Sequence, residues 1–151
     1  MKIPDHIKFP PEITFHPDIP LVIYRPRGVL NEASINKAIS ILGDLEAELK
    51  EPFDRFSDTL EADAVDLNFR YIVHVSLYRR LTYAGRAPIK SALLGTNETI
   101  IHYAKLHRLL TQGSPINFQV FERREDAAGW LGVPIERLEP NAPSSGVTPS
   151  P

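Results

Sequence analysis

The sequence predicts an α/β domain: a mixed, mostly parallel sheet of five strands with about four helices packed on it, in the order ββαβαβαβα. Three observations lead there. Short runs rich in β-branched and aromatic residues alternate with runs of helical periodicity along most of the chain. The first two short runs are separated only by a proline-marked turn, which supplies one antiparallel edge. With 151 residues, 42% hydrophobic and 24% charged, the chain is long enough to bury a core without staples and has the composition of an ordinary globular domain.

Residues 1–11 are punctuated by prolines and predict an extended N-terminal segment. Residues 12–16 read as a strand with Ile13 and Phe15 on one face. Pro17-Asp18-Ile19-Pro20 is turn chemistry, and residues 21–24 return as the second strand, closed by Pro26 and Gly28. Asn31 is placed to cap a helix with Glu32 in its first turn and Lys50 in its last, each sign matched to the helix dipole. Ile35, Ala38, Ile39, Leu42, Leu45 and Leu49 recur at helical spacing, and Pro52 ends the pattern. Residues 53–59 are the next strand, interrupted by Asp54, Arg55 and Asp58.

A second helix is expected from Asn68 to about Tyr83. It is apolar on two sides, with Phe69, Val73 and Leu77 on one, Ile72 beside them, and Tyr71, Val75 and Tyr78 on the other. A helix of that kind is deeply buried or covered by a partner. Residues 88–94 form a strand, Asn97 caps a helix carrying Ile100, Tyr103, Ala104, His107 and Leu110, and residues 116–121 alternate as a strand. Residues 124–131 close the domain as a short helix. The domain is thus expected over residues 12–138, followed by a disordered Pro/Ser-rich tail at 139–151.

Several chemistries lack their residues. Cysteine is absent, which removes disulfides, thiolate metal sites and cysteine nucleophiles together. His102 and His107 are five apart and diverge on a helix, so no zinc set converges; His107, on the apolar stripe, reads as a satisfied core histidine. Ser57, Ser76, Ser91 and Ser114 lie outside any Gly-x-Ser-x-Gly elbow, and no Gly-rich phosphate loop precedes a helix. No cofactor and no catalysis are expected. The N-terminus has no apolar stretch of signal-peptide type, and the longest apolar run, at residues 21–24, is far short of a membrane span, so a soluble cytoplasmic protein is expected.

Charge is segregated. Residues 44–66 hold nine acids against Lys50 and Arg55, whereas residues 69–108 hold Glu98 against seven Lys and Arg. The basic block faces an anionic partner, pairs with the acidic block or is solvated, the last two being preferred. With a pI near 6.2 and no basic motif interleaved with aromatics, nucleic-acid binding is not expected.

Tyr24-Arg25-Pro26-Arg27-Gly28, Arg55-Phe56-Ser57-Asp58, Lys90-Ser91-Ala92, and Gly113-Ser114-Pro115-Ile116 leading to Val120-Phe121 resemble the SpoIIAA-like branch of the STAS-like proteins. These are small bacterial proteins related in fold to anti-anti-sigma factors and to CRAL-TRIO domains. The resemblance spans roughly residues 12–133 and implies a STAS-like fold with a non-enzymatic binding or regulatory role. The Asp-Ser-Ser-Gly phosphorylation string of the anti-anti-sigma factors is missing, since residues 57–63 read Ser-Asp-Thr-Leu-Glu-Ala-Asp.

Two surfaces are candidates. Tyr71, Val75, Tyr78 and Arg79 are expected to need cover, from a protein partner, from a second copy in a homodimer, or from the N-terminal segment around Ile7 and Phe9. Asp58, Thr59, Thr96 and Asn97 gather at the carboxyl edge of the sheet, where a small anion is held or where Thr96 and Asn97 serve only as a cap, the latter preferred. Arg55 and Asp58 are expected to pair with each other or with a neighbour such as Lys90. The alternative to protein contact is a small-ligand or lipid carrier of the CRAL-TRIO type, which requires an internal apolar cavity that a chain this short leaves little room for.

Overall fold

Two short strands, β1 (Ile13–His16) and β2 (Leu21–Tyr24), pair antiparallel across the proline turn, Ile13 opposite Tyr24 and His16 opposite Leu21. The structure is a computed structural model that describes residues 3–140. The tail expected from residue 139 therefore lies outside the described residues apart from Glu139 and Pro140. After β3 (Gly28–Asn31) comes α1 (Glu32–Glu48), opened by a capping box in which the Asn31 carboxamide accepts from the Ser34 amide and the Ser34 hydroxyl accepts from the Asn31 amide. Lys50, expected in the last turn, falls beyond it, because the backbone turns extended at Leu49 ahead of Pro52.

β4 (Asp54–Asp58), β5 (Ala62–Asp66), α2 (Phe69–Tyr83), β6 (Ile89–Leu94), α3 (Glu98–Thr111), β7 (Ile116–Phe121) and α4 (Arg124–Leu131) complete the main elements. A 3₁₀ turn at Ile135–Leu138 follows. Asn68 and Asn97 cap α2 and α3 through their side chains, as their positions in the sequence predict.

The main sheet runs β1-β2-β4-β6-β7, with β1 antiparallel and the other neighbours parallel. Strand order advances in one direction only, so right-handed crossovers put α1, α2 and α3 on the same face. The opposite face is covered by α4 and the 3₁₀ turn, where Leu21, Ile23, Phe56, Ala92 and Leu94 pack on Ala127, Ala128, Leu131 and Leu138. On the three-helix face, Phe15, Val22 and Phe53 pack on Ala38, Ile41 and Leu45, while Ile89, Ile116 and Phe118 pack on Tyr83 and Ala104.

Four expectations are corrected. β3 and β5 form a separate two-stranded parallel sheet that the sequence reading missed. β5 is mostly exposed and β3 buries only Leu30, so neither is long or regular enough to carry the alternation that marks a half-buried strand. The N-terminal segment is not free: Ile7 is buried, with Ile3 and Phe9 beside it, against α1 and the hairpin rather than over α2.

The third correction concerns α2, whose two faces are partly exchanged, with Tyr78 still exposed. Phe69 (61% exposed) and Leu77 (46%), expected to anchor the helix, point outward, whereas Tyr71 and Val75 of the expected contact surface are buried. The inversion has a polar cause. The buried side includes Tyr71, whose hydroxyl donates to Asn36 Oδ1 at 2.7 Å, and Ser76 and Arg79, which bond to His107. Polar groups satisfied by α1 and α3 count as interior, and sequence pattern scores them as surface.

Fourth, Arg55 and Asp58 are each held in ion pairs, as expected, but not with each other or with Lys90. β4 sends them to opposite faces, Arg55 beneath the three helices and Asp58 with the α4 side. Asp58 Oδ2 accepts from Arg25 and, at 2.8 Å, from Arg124 Nη1, and both arginines also donate to the Leu138 carbonyl, at 2.5 and 2.9 Å.

Candidate functional site

The three-helix face of the sheet is not filled at its centre. At the positions that alternation turns toward the helices, β4 presents Arg55 and Ser57, and β6 presents Ser91, register partner of Arg55. Ala38 and Ala104 stand on the helix side. These small side chains leave a hollow of about 160 Å³ walled by Leu30, Ile35, Ile39, Ile72, Val75, Leu93, Ile100 and Phe118. On the same measure one water needs about 10–15 Å³, so the hollow holds more than a few waters, and an apolar cavity of about 150 Å³ accepts a benzene-sized molecule.

A wider cleft of about 440 Å³ opens between α1 and α2. Ile39, Leu42, Arg55 and Arg79 line both spaces, so the apolar hollow meets the cleft at a pair of arginines. Arg55 is the best buried of the cations here, its side chain 5% exposed. Its guanidinium donates to the Phe53 carbonyl at 2.5 Å, to Glu46 Oε1 at 2.8 Å and to the Tyr83 hydroxyl at 2.9 Å, and lies 4.4 Å from the Phe53 ring centroid. Among the described residues its Nε is a buried donor without a partner.

Glu46 is the carboxylate of this cluster. Oε1 also accepts from the Tyr83 hydroxyl, and Oε2 accepts from Arg86 at 2.5 Å. Burial raises the Tyr83 pKa, which keeps the hydroxyl a donor. Arg79 makes no ion pair among the described residues; its Nη1 donates to His107 Nε2 at 3.0 Å. Burial, ahead of the partial relief from Tyr83, lowers the Arg79 pKa, although a guanidinium stays charged.

The Arg79–His107 bond fixes a tautomer. Arginine only donates, so Nε2 of His107 is the acceptor and Nδ1 carries the proton, donated to Ser76 Oγ at 2.7 Å. A serine nucleophile needs the reverse polarity, an imidazole nitrogen free to take the hydroxyl proton. Burial, then the nearby Arg79, also pulls the His107 pKa down to about 3, so it is a feeble base. His107 is a satisfied core histidine, as its place on the stripe suggests.

The sheet-edge candidates are occupied by the fold. Asp58 is bonded by Arg25 and Arg124, Thr59 Oγ1 donates to the Leu94 carbonyl at 2.8 Å, and Asn97 caps α3. Thr96 is exposed at the surface. Of these four residues Thr59 lines the inner hollow. Of the expected contact residues, Tyr71 and Val75 are buried, Arg79 is turned toward His107, and Tyr78 is exposed at the lip of the cleft. The sequence reading missed Glu46, Tyr83 and Arg86 altogether. The signal available was small or charged residues, Arg55, Ser57 and Ser91, at strand positions that face helices.

No family model and no curated protein matches the sequence. Among solved structures the chain is similar to an uncharacterized protein from the DUF3478 family with a SpoIIAA-like fold from Shewanella loihica PV-4. The TM-score is 0.51 at 18% identity, covering 79% of this chain and 89% of that one. At that identity the likeness establishes the fold, which is SpoIIAA-like, with the mixed, mostly parallel five-stranded sheet and four helices that the sequence predicts. Among the described residues no helix is long and apolar enough to cross a membrane.

Proposed function

We propose that this protein is a non-catalytic cytoplasmic binding module that takes a small, largely apolar ligand between its sheet and its three helices. The observation that carries the proposal is the 160 Å³ hollow, apolar over most of its wall and open toward a polar cleft. Ligand sites are of this kind, a mainly apolar concavity with a few fixed polar groups. The reversed polarity of the Ser76–His107 pair supports binding without catalysis.

Replacing Ser91 with Leu tests the reading. Leu at that position fills the hollow, so the domain should keep its thermal midpoint while losing affinity for 1-octanol in calorimetric titration. If the site were already packed, the added carbons would cost about 1–3 kcal/mol of stability instead. A destabilised variant, or a wild type that binds no alcohol, refutes the proposal.

A second reading, contact with a protein partner, is favoured by the outer face of α2. Phe69, Leu77 and Leu81 (78% exposed) lie there without cover among the described residues. If a second copy covers this face, sedimentation velocity will show a dimer that a Leu77→Glu, Leu81→Glu double variant splits. A monomer at all concentrations excludes the homodimer.

A further inference from the structure

The cleft between α1 and α2 is unbalanced in charge. Arg55, Arg79 and Arg86 line it around the carboxylate of Glu46, and the remaining pair on its wall, Lys50 and Glu51, cancels. Glu46 already serves Arg55, Arg86 and the Tyr83 hydroxyl. Arg79 has neutral direct partners, the His107 imidazole and the Tyr83 side chain, and feels Glu46 without pairing to it, while Arg55 has a spare buried Nε–H. A buried cation is costly unless an opposite charge and full hydrogen bonding accompany it. Two units of excess positive charge at the mouth of an apolar hollow therefore mark a place for an anion.

We infer that the Arg55–Arg79–Arg86 cluster is an oxyanion subsite, and that the ligand class is a single carboxylate or phosphate head joined to an apolar tail. The inference deepens the small-ligand reading and rests on it for the tail. Arginine suits either head, since its planar fork matches the paired oxygens of carboxylate and phosphate alike. The geometry sets the polarity of binding: the head lies in the cleft, where Arg86 is half exposed, and the tail passes Ile39 and Leu42 into the hollow. Glu46 competes with such a head for the same guanidinium groups.

Calorimetric titration with sodium octanoate, octyl phosphate and 1-octanol separates head from tail. With the wild type, the better of the two anions should bind at least about tenfold more tightly than 1-octanol, and which anion leads identifies the head. Arg86→Gln, at the exposed rim and checked for an unchanged thermal midpoint, should weaken the anions about threefold to tenfold and leave 1-octanol unaffected. Glu46→Gln should move anion affinity the other way, upward, a response that a purely structural ion network would not give. Equal affinities for octanol and both anions, unchanged in both variants, overturn the oxyanion subsite while leaving the apolar hollow as a binding site. Failure of all three probes to bind overturns both.

Discussion

Acidification should weaken this fold through His107. In the unfolded chain the imidazole takes a proton near 6.5, whereas in the fold burial and the facing Arg79 hold it down to about 3. Above pH 6.5 both states are neutral and His107 contributes no pH dependence. Below it, only the unfolded chain binds the proton, so stability is lost at about 1.4 kcal/mol per pH unit. By pH 5 that amounts to about 2 kcal/mol, a large fraction of the 5–15 kcal/mol typical of a domain. His16, also depressed by burial first and then by Arg137, acts in the same direction, so the comparison must isolate His107. His107→Asn keeps a donor toward Ser76 without a titrating ring. Urea unfolding at pH 7, 6 and 5 should show wild-type stability falling more steeply than that of the variant, the gap widening toward pH 5. Parallel slopes for the two proteins would refute a buried neutral His107.

Other expectations follow from named contacts. Asp58→Ala strands Arg25 and Arg124 in a largely buried site and should cost about 3–5 kcal/mol in chemical denaturation, whereas Arg27→Ala, whose pair with Glu61 is exposed, should change stability by less than about 0.5 kcal/mol. A Cβ on Gly95 would sit 2.5 Å from Thr59 Oγ1, which is held by the Leu94 carbonyl. Gly95→Ala should therefore cost about 1–3 kcal/mol, and less in a Thr59→Ala background, as a double-mutant cycle will measure. Leu138→Ala, in the core, should cost about 2–5 kcal/mol, against less than about 0.5 kcal/mol for Leu81→Ala on the outer face of α2.

Elements with strong local signals were legible in the sequence. Asn31, Asn68 and Asn97 are caps in the structure, and the pattern through residues 116–121 and 124–131 matches β7 and α4. What was illegible depended on partners distant in sequence. The β3–β5 pair joins two short segments, one with a single buried residue and one mostly exposed, that give no periodic pattern. The faces of α2 were partly exchanged because Ser76 and Arg79 are made interior by His107, about 30 residues away, and no property of α2 alone reveals that. The cleft was invisible for a similar reason: Glu46, Arg55 and the Tyr83–Arg86 turn come from three separate stretches, and only the crossovers bring them together. His107, by contrast, could be read as a core histidine because its neighbours on the stripe are apolar.

The bonds around Asp58 also set an order of events during synthesis. Its partners Arg25 and Arg124 are separated from it by 33 and 66 positions, and the Leu138 carbonyl that both hold is 113 positions from Arg25. A nascent chain that has delivered β1 through β7 but still keeps the last turns inside the ribosome has one arginine for this carboxylate and no hydrophobic cover for Phe56 and Leu94 from α4. Contacts of such long sequence separation form late. The three-helix side can therefore assemble on the emerging polypeptide before α4 arrives, and until then the half-finished sheet exposes an apolar surface for chaperones to recognise.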